Sequence, residues 1–259
     1  MKIPWYQVDA FTDRVFAGNP AAVCALEEWL ADDVLQAIAA ENNLAETAFF
    51  VPEQHRFRLR WFTPTVEVDL CGHATLASAY VLMEQLGHSE NSIIFQTLSG
   101  ELHVSRKENR YVLDFPARAP HRRDLTPSLS AALGIEPEET WQARDTLAVF
   151  ATEQQVRALR PDLSLLKQLE TFGVIVTAPG RDCDFVSRFF APAKGVPEDP
   201  VTGSSHCTLT PYWSERLGKK ALHAKQVSKR GGELWCESKG ERVEIAGHAA
   251  LFAVGEIHL

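Results

Sequence analysis

No stretch of this sequence approaches the roughly 20 consecutive apolar residues that a membrane-crossing helix needs, so no membrane span is expected. The opening residues, Met1-Lys2-Ile3-Pro4-Trp5-Tyr6-Gln7-Val8-Asp9, lack a long apolar core with a small-residue cleavage site. They read as strand, and a cytoplasmic location is expected. Excess positive charge is missing as well: 26 Lys and Arg stand against 34 Asp and Glu, a formal charge of -8. That balance argues against the general attraction on which nucleic-acid binders rely, and no nucleic acid is expected as partner. The basic residues are scattered apart from Arg118, His121, Arg122 and Arg123. Cysteine is sparse, with five residues at irregular spacing (Cys24, Cys71, Cys183, Cys207, Cys236), which does not suggest a disulfide framework. A metal reading assembled from Cys71, His73, His206 and Cys207 fits no usual zinc spacing, and no metal is expected.

What is present suits a globular chain. At 259 residues the sequence can fill one large domain or two of about 100 to 150 residues. Trp5 to Thr12 has strand character, Ala17-Gly18-Asn19-Pro20 supplies a turn, and Ala21 to Leu26 is a second apolar run. From Trp29 to Asn42 the period changes: Leu30, Val34, Leu35, Ile38 and Ala39 share a face at helical spacing, and Asp32 and Asp33 suit a first turn. This helix leads to Glu46, which is followed by strand-type residues through Val51. Phe57 to Phe62 reads as a further strand closed by Pro64. Gly72 precedes an apolar segment, Ala74 to Leu86, which ends in Gly87 as a glycine-capped helix would. Three strands follow at Ile93–Thr97, Gly100–Ser105 and Tyr111–Phe115. Pro116 to Pro127, with three prolines and the basic group, reads as a linker between an N-terminal half, 1–117, and a C-terminal half, 118–259, whose last strand can cross back to the first half.

The second half repeats part of the first. Arg60-Trp61-Phe62-Thr63-Pro64 recurs as Arg188-Phe189-Phe190-Ala191-Pro192, and after a three-residue insertion Gly72 matches Gly203 and Leu86-Gly87 matches Leu217-Gly218. If a pseudo-twofold relates the halves, two helix starts face a shared cleft. Unpaired N–H groups and the helix dipole make such a place attractive to a small anion, with Thr202, Ser204, Ser205 and His73 adding donors. An anion hole beside one base can also move a proton, because the developing enolate is stabilised where its charge appears. Glu46, set among Ala45, Ala48, Phe49 and Phe50, is the candidate base, and desolvation there would favour its protonated form. Asp199, before Pro200, is by itself an ordinary turn opener. Pro211 sits badly in a regular helix after Gly203, so that helix is expected to kink or to start late.

Asp9-Ala10-Phe11, Gly18-Asn19-Pro20, Glu46-Thr47-Ala48-Phe49, Phe62-Thr63-Pro64, Cys71-Gly72-His73-Ala74-Thr75 and Glu198 to Ser204 together resemble the phenazine-biosynthesis-like (PhzF) isomerase family, essentially end to end. The resemblance implies an α+β fold shared with diaminopimelate epimerase: two pseudo-symmetric halves, each a curved, mostly antiparallel sheet around a central helix. It implies that Glu46, with His73 and Asp199, carries out proton transfer without a cofactor. It also implies that Asn19, Gly72, Ala74, Thr202, Gly203 and Ser204 bind a small carboxylate substrate, and that the protein is a homodimer. The epimerases of this architecture use one cysteine from each half. Here Cys71 occupies the first such place and Thr202 the second, and a threonine hydroxyl is a poor acid/base at neutral pH, so two-thiol epimerisation is the weaker alternative. A non-catalytic binding or scaffold member is the other. His206 and Thr208 depart from the phenazine enzyme's pattern and are expected to bear on substrate choice.

Overall fold

The computed structural model describes residues 1–259 and divides into two compact units, Met1–Asp114 with Ala246–Leu259, and Phe115–Ile245. The break therefore falls a few residues before the proline-rich stretch. In the first unit, Ala249–His258 runs antiparallel to Lys2–Ala10, which runs antiparallel to Asn19–Ala25. Asn19–Ala25 is parallel to Glu46–Glu53, which turns back into Arg56–Phe62. Arg56–Phe62 is parallel to Ser92–Thr97, and Gly100–Lys107 and Arg110–Pro116 complete the sheet as antiparallel neighbours.

Eight of the nine residues of the helix Gly72–Tyr80 are buried, and it packs on strands from both ends of that order, including Lys2–Ala10, Glu46–Glu53 and Gly100–Lys107. One helix can touch strands so far apart in a sheet only if the sheet curls around it. Its buried hydroxyls are satisfied locally: Thr75 Oγ1 donates to the Cys71 carbonyl at 2.6 Å and Ser78 Oγ to that of Ala74 at 2.8 Å. A second layer packs Leu35, Ile38 and Ala39 of the helix Asp32–Asn42 on Cys24, Phe49 and Phe62, with Phe49 and Phe62 edge to face. Each of the leucine, isoleucine and phenylalanine side chains among them contributes about 1.5 to 3 kcal/mol on burial.

The second unit reuses this order. Thr146–Val149 is parallel to Val174–Pro179, Val174–Pro179 antiparallel to Phe185–Ala191, Phe185–Ala191 parallel to Ala221–Gln226, and Ala221–Gln226 antiparallel to Gly232–Ser238. The helix Gly203–Leu217 lies on the last two strands. Trp213 stacks on Phe185 and donates its indole N–H to Thr177 Oγ1 at 3.0 Å.

The repeat reaches individual contacts. Arg60 Nε and Nη2 bind Glu67 at 2.7 and 2.8 Å; Arg188 Nε and Nη2 bind Glu198 at 2.7 and 3.0 Å. Each arginine also lies over the phenylalanine two residues on, Phe62 and Phe190. Ser99 Oγ donates to the Asp69 carbonyl and Ser228 Oγ to that of Pro200, at 2.7 and 2.8 Å.

Four expectations are corrected. The first helix begins at Asp32 rather than Trp29, since Ala31 holds the extended N-cap conformation. The helix after Cys71 begins at Gly72 and widens into a π-helical turn, Val81–Gln85. The basic group is no open linker, because His121–Arg123 forms a strand antiparallel to Glu139–Gln142. The Gly203 helix does not start late, and Pro211 lies inside it. Proline has no N–H for the carbonyl four residues back, and that carbonyl, of Cys207, instead accepts the Arg118 N–H at 2.8 Å.

Candidate active site

In the first unit three expected residues converge. Asn19 opens its strand and Glu46 opens the parallel neighbour, in register with Ala21, so both side chains stand at the same end of the sheet. His73 is the second residue of the central helix. Its Nε2 lies 3.2 Å from Glu46 Oε2, and its Nδ1 lies 3.2 Å from Asn19 Nδ2 and 3.5 Å from Cys71 Sγ.

The chemistry of these atoms fixes the ring's state. An amide nitrogen only donates, so Nδ1 accepts from Asn19 and the ring proton sits on Nε2, the nitrogen on the Glu46 side of the ring. Burial drives the His73 pKa from 6.5 down to about 3, so the ring is neutral at any ordinary pH. The His73 side chain is 5% exposed and that of Glu46 17%, so Glu46 is the member of the pair that solvent-borne molecules reach. Donor atoms of Glu46, Cys71 and His73 all lie within 4.8 Å of one another. The closest contacts of Cys71 and Glu46 nevertheless fall on opposite ring nitrogens, which suits a relay better than three lone pairs converging on one ion.

Gly18 shapes the approach to Asn19. Its φ is +63°, and a Cβ there would meet the Ala10 carbonyl oxygen at 2.2 Å. Gly72 and Ala74 lie in the first turn of the central helix, both buried.

The remaining expected residues lie in the second unit. Thr202 Oγ1 donates to Asp199 Oδ2 at 2.6 Å. Gln226, buried, accepts the Thr202 N–H at 2.9 Å and donates to the Asp199 carbonyl at 2.8 Å and to Thr202 Oγ1 at 3.1 Å. Gly203 opens the helix, and Ser204 Oγ accepts from Arg144 Nη2 at 3.1 Å. Neither Cys71 nor Thr202 caps its helix through a side chain, whereas Thr126, Thr152 and Asp162 cap theirs. The two starts thus keep backbone donors that a capping side chain does not occupy. His206 and Thr208 are wholly buried. His206 Nδ1 donates to the Thr202 carbonyl at 2.8 Å, tying the ring to the helix start.

Sequence reasoning missed Gln226 and Arg144. The repeat held the signal for the latter. In the two parallel pairs, Ala21 faces Glu46 and Thr146 faces Val174, so Arg144 holds the place of Asn19, just as Ser204 holds that of His73. The contact Asn19–His73 in one unit becomes Arg144–Ser204 in the other.

This arrangement belongs to a known group of proteins. The family model for phenazine biosynthesis-like proteins matches residues 8–255, and the chain belongs to that family. Among its relatives, an uncharacterized isomerase of Pseudomonas aeruginosa is 55% identical over 260 residues, covering 100% of both chains. The crystal structure of a PhzF-family phenazine biosynthesis protein from Enterococcus faecalis is 52% identical, with a TM-score of 0.99 over 100% of both chains. A predicted epimerase of Pseudomonas aeruginosa, at 21% identity, covers 98% of this chain and 99% of its own with a TM-score of 0.76, and shares the fold. The α+β architecture expected from the sequence is thus that of the family.

Proposed function

We propose that the protein is a cofactor-independent isomerase that moves a proton on a small carboxylate-bearing substrate, with Glu46 as its single acid/base. The observation that carries this reading is the line Asn19–His73–Glu46. A neutral imidazole, held by Asn19 in the tautomer that carries its proton on Nε2, lies with that nitrogen 3.2 Å from one oxygen of the Glu46 carboxylate. In the first half-reaction the substrate C–H bond breaks, the proton goes to Glu46, and the electron pair spreads into the conjugated system. In the second, Glu46 gives a proton, exchangeable with solvent while it sits on the carboxyl, to a different carbon and the carboxylate is restored. Nothing is oxidised or reduced. In the first unit, backbone N–H groups at the uncapped helix start with Gly72 and Ala74 favour an anion; in the second, the uncapped start with Thr202, Gly203 and Ser204 does the same, and Asp199 orders Thr202.

A single base is favoured over two thiols by Thr202. It stands where a second cysteine would, and its hydroxyl hydrogen is directed at Asp199. The isomerase names of close relatives support the reaction class. The test is solvent-deuterium incorporation followed by NMR across a panel of small cyclic and amino-acid carboxylates. The parent protein is expected to exchange at least one of them, and Glu46→Gln to lose that exchange while still binding. Exchange by Glu46→Gln at the parent rate would sink the proposal.

A further inference from the structure

Near the start of the Gly203 helix three cations, Arg118, Arg144 and Lys194, stand against the carboxylates of Asp145 and of Asp199, the latter accepting the Thr202 hydroxyl hydrogen. Arg144 Nε and Nη2 lie 3.3 and 3.2 Å from the oxygens of Asp145, and Nη2 donates to Ser204 Oγ at 3.1 Å. Its guanidinium is 4.1 Å from the centroid of the Phe172 ring, and Lys194 Nζ is 5.3 Å from the same centroid. Arg118 also acts on Asp145, and its Nη1 is buried with no hydrogen-bond partner. One carboxylate, wholly buried, therefore serves two guanidinium groups, and Lys194 adds a third positive charge.

The Arg144–Asp145 pair is also loose. Its contacts exceed the roughly 2.7 to 2.9 Å of a committed charge-assisted pair, which Arg188 and Glu198 reach at 2.7 Å. The Arg144 side chain is 31% exposed, so its charge is open to solvent on one side and braced by Asp145 and Phe172 on the others. With Nε and Nη2 engaged, Nη1 is the edge left for a ligand, and the Ser204 hydroxyl can give its own hydrogen beside it. Two donors match the two oxygens of a carboxylate; a phosphate dianion would call for more.

We propose that Arg144 is the anchor of a carboxylate-binding site in the second unit, with Ser204 Oγ as second donor and Arg118 and Lys194 supplying surrounding charge. This rests on the reading that the protein takes carboxylates and names the side chain that would select for them in the second unit. The probe is sodium benzoate, titrated at constant ionic strength into the full chain labelled with 15N-arginine, with neutral benzamide and inorganic phosphate as comparisons. Benzoate is expected to shift the Arg144 Nε–H resonance saturably and benzamide to leave it in place. Arg144→Lys should weaken benzoate binding about ten- to a hundredfold, the range of a hydrogen bond to a charged group. Lys194→Gln, at an exposed position that leaves the fold intact, should weaken it severalfold. Equal shifts with benzamide, saturable phosphate binding tighter than benzoate, or parent-like binding by both variants would overturn the assignment. The two proposals fail separately. Benzoate binding by a parent protein that exchanges no substrate would count against Glu46 alone, and exchange by a parent protein that shows no saturable Arg144 shift with benzoate would count against Arg144 alone.

Discussion

Replacing Asn19 by aspartate tests the geometry on which the candidate site depends. The amide Nδ2 lies 3.2 Å from His73 Nδ1 and, as a donor, keeps the ring proton on Nε2, facing Glu46 Oε2 at 3.2 Å. A carboxylate at position 19 is nearly isosteric but can only accept. It pulls a proton onto Nδ1, and in the neutral ring this bares Nε2 toward the lone pairs of Glu46. The other response is for the ring to take up a second proton. A negative charge at this distance raises a neighbouring pKa by about 1 to 3 units, so His73 should rise from about 3 to between about 4 and 6 in Asn19→Asp. Long-range 1H–15N NMR of histidine-labelled protein reads both quantities. In the parent, Nδ1 should show the shift of an unprotonated nitrogen and Nε2 that of a protonated one, unchanged from pH 8 to 5. In Asn19→Asp, Nδ1 should be protonated and a titration should enter that range. Proton exchange on the substrate should fall by about ten- to a hundredfold, the loss of one hydrogen bond to a charged group. A parent ring protonated on Nδ1, or a variant with the parent's tautomer and no titration, would refute the reasoning.

Acid should destabilise each unit through its buried histidine. The folded-state pKa of His73 is lowered from 6.5 to about 3 and that of His206 from 6.5 to about 4, so the unfolded chain binds more protons and stability falls as pH drops below 6.5. At pH 5 each has removed about 2 kcal/mol, at about 1.36 kcal/mol per pH unit, and urea melts at pH 7 and 5 should lose about half that pH dependence in His206→Gln. Gly18→Ala forces a side chain onto a backbone at φ +63° and into the Ala10 carbonyl, and should destabilise by more than about 1 kcal/mol while displacing Asn19, read by thermal melts. Arg188→Met leaves Glu198 and the carbonyls of Val156 and Leu159 without their donor and should destabilise by about 3 kcal/mol, partly restored by adding Glu198→Gln.

The duplication was legible because it is written in residue types that local structure demands: an arginine and aromatics on a strand, a proline after it, and glycines at both ends of a helix. Its deeper content was not. The partners of Arg60 and Arg188 lie across an insertion, 7 and 10 residues on, so a fixed offset loses them. Glu46, His73 and Asn19 could be named one by one from the family resemblance, but their contacts join residues up to 54 apart, and only the parallel pairing of Asn19–Ala25 with Glu46–Glu53 brings them to one place. Arg144 was passed over because an Arg-Asp pair before a strand looks like an ordinary solvated turn. Pro211 misled for the opposite reason. Proline inside a helix normally breaks it, but here the chain at Arg118 supplies the donor that proline lacks.

The most direct test of the central claim compares Glu46→Gln with Cys71→Ser in deuterium exchange on whichever carboxylate the parent protein exchanges. Both side chains lie beside His73, at opposite ring nitrogens, so both variants disturb the same ring and only the identity of the base differs. With Glu46 as the single proton carrier, Cys71→Ser keeps exchange within a few-fold of the parent, and Glu46→Gln loses it by about a thousandfold or more, as removal of a general base demands. Exchange that survives in Glu46→Gln and vanishes in Cys71→Ser would place the proton on the thiol and contradict the account.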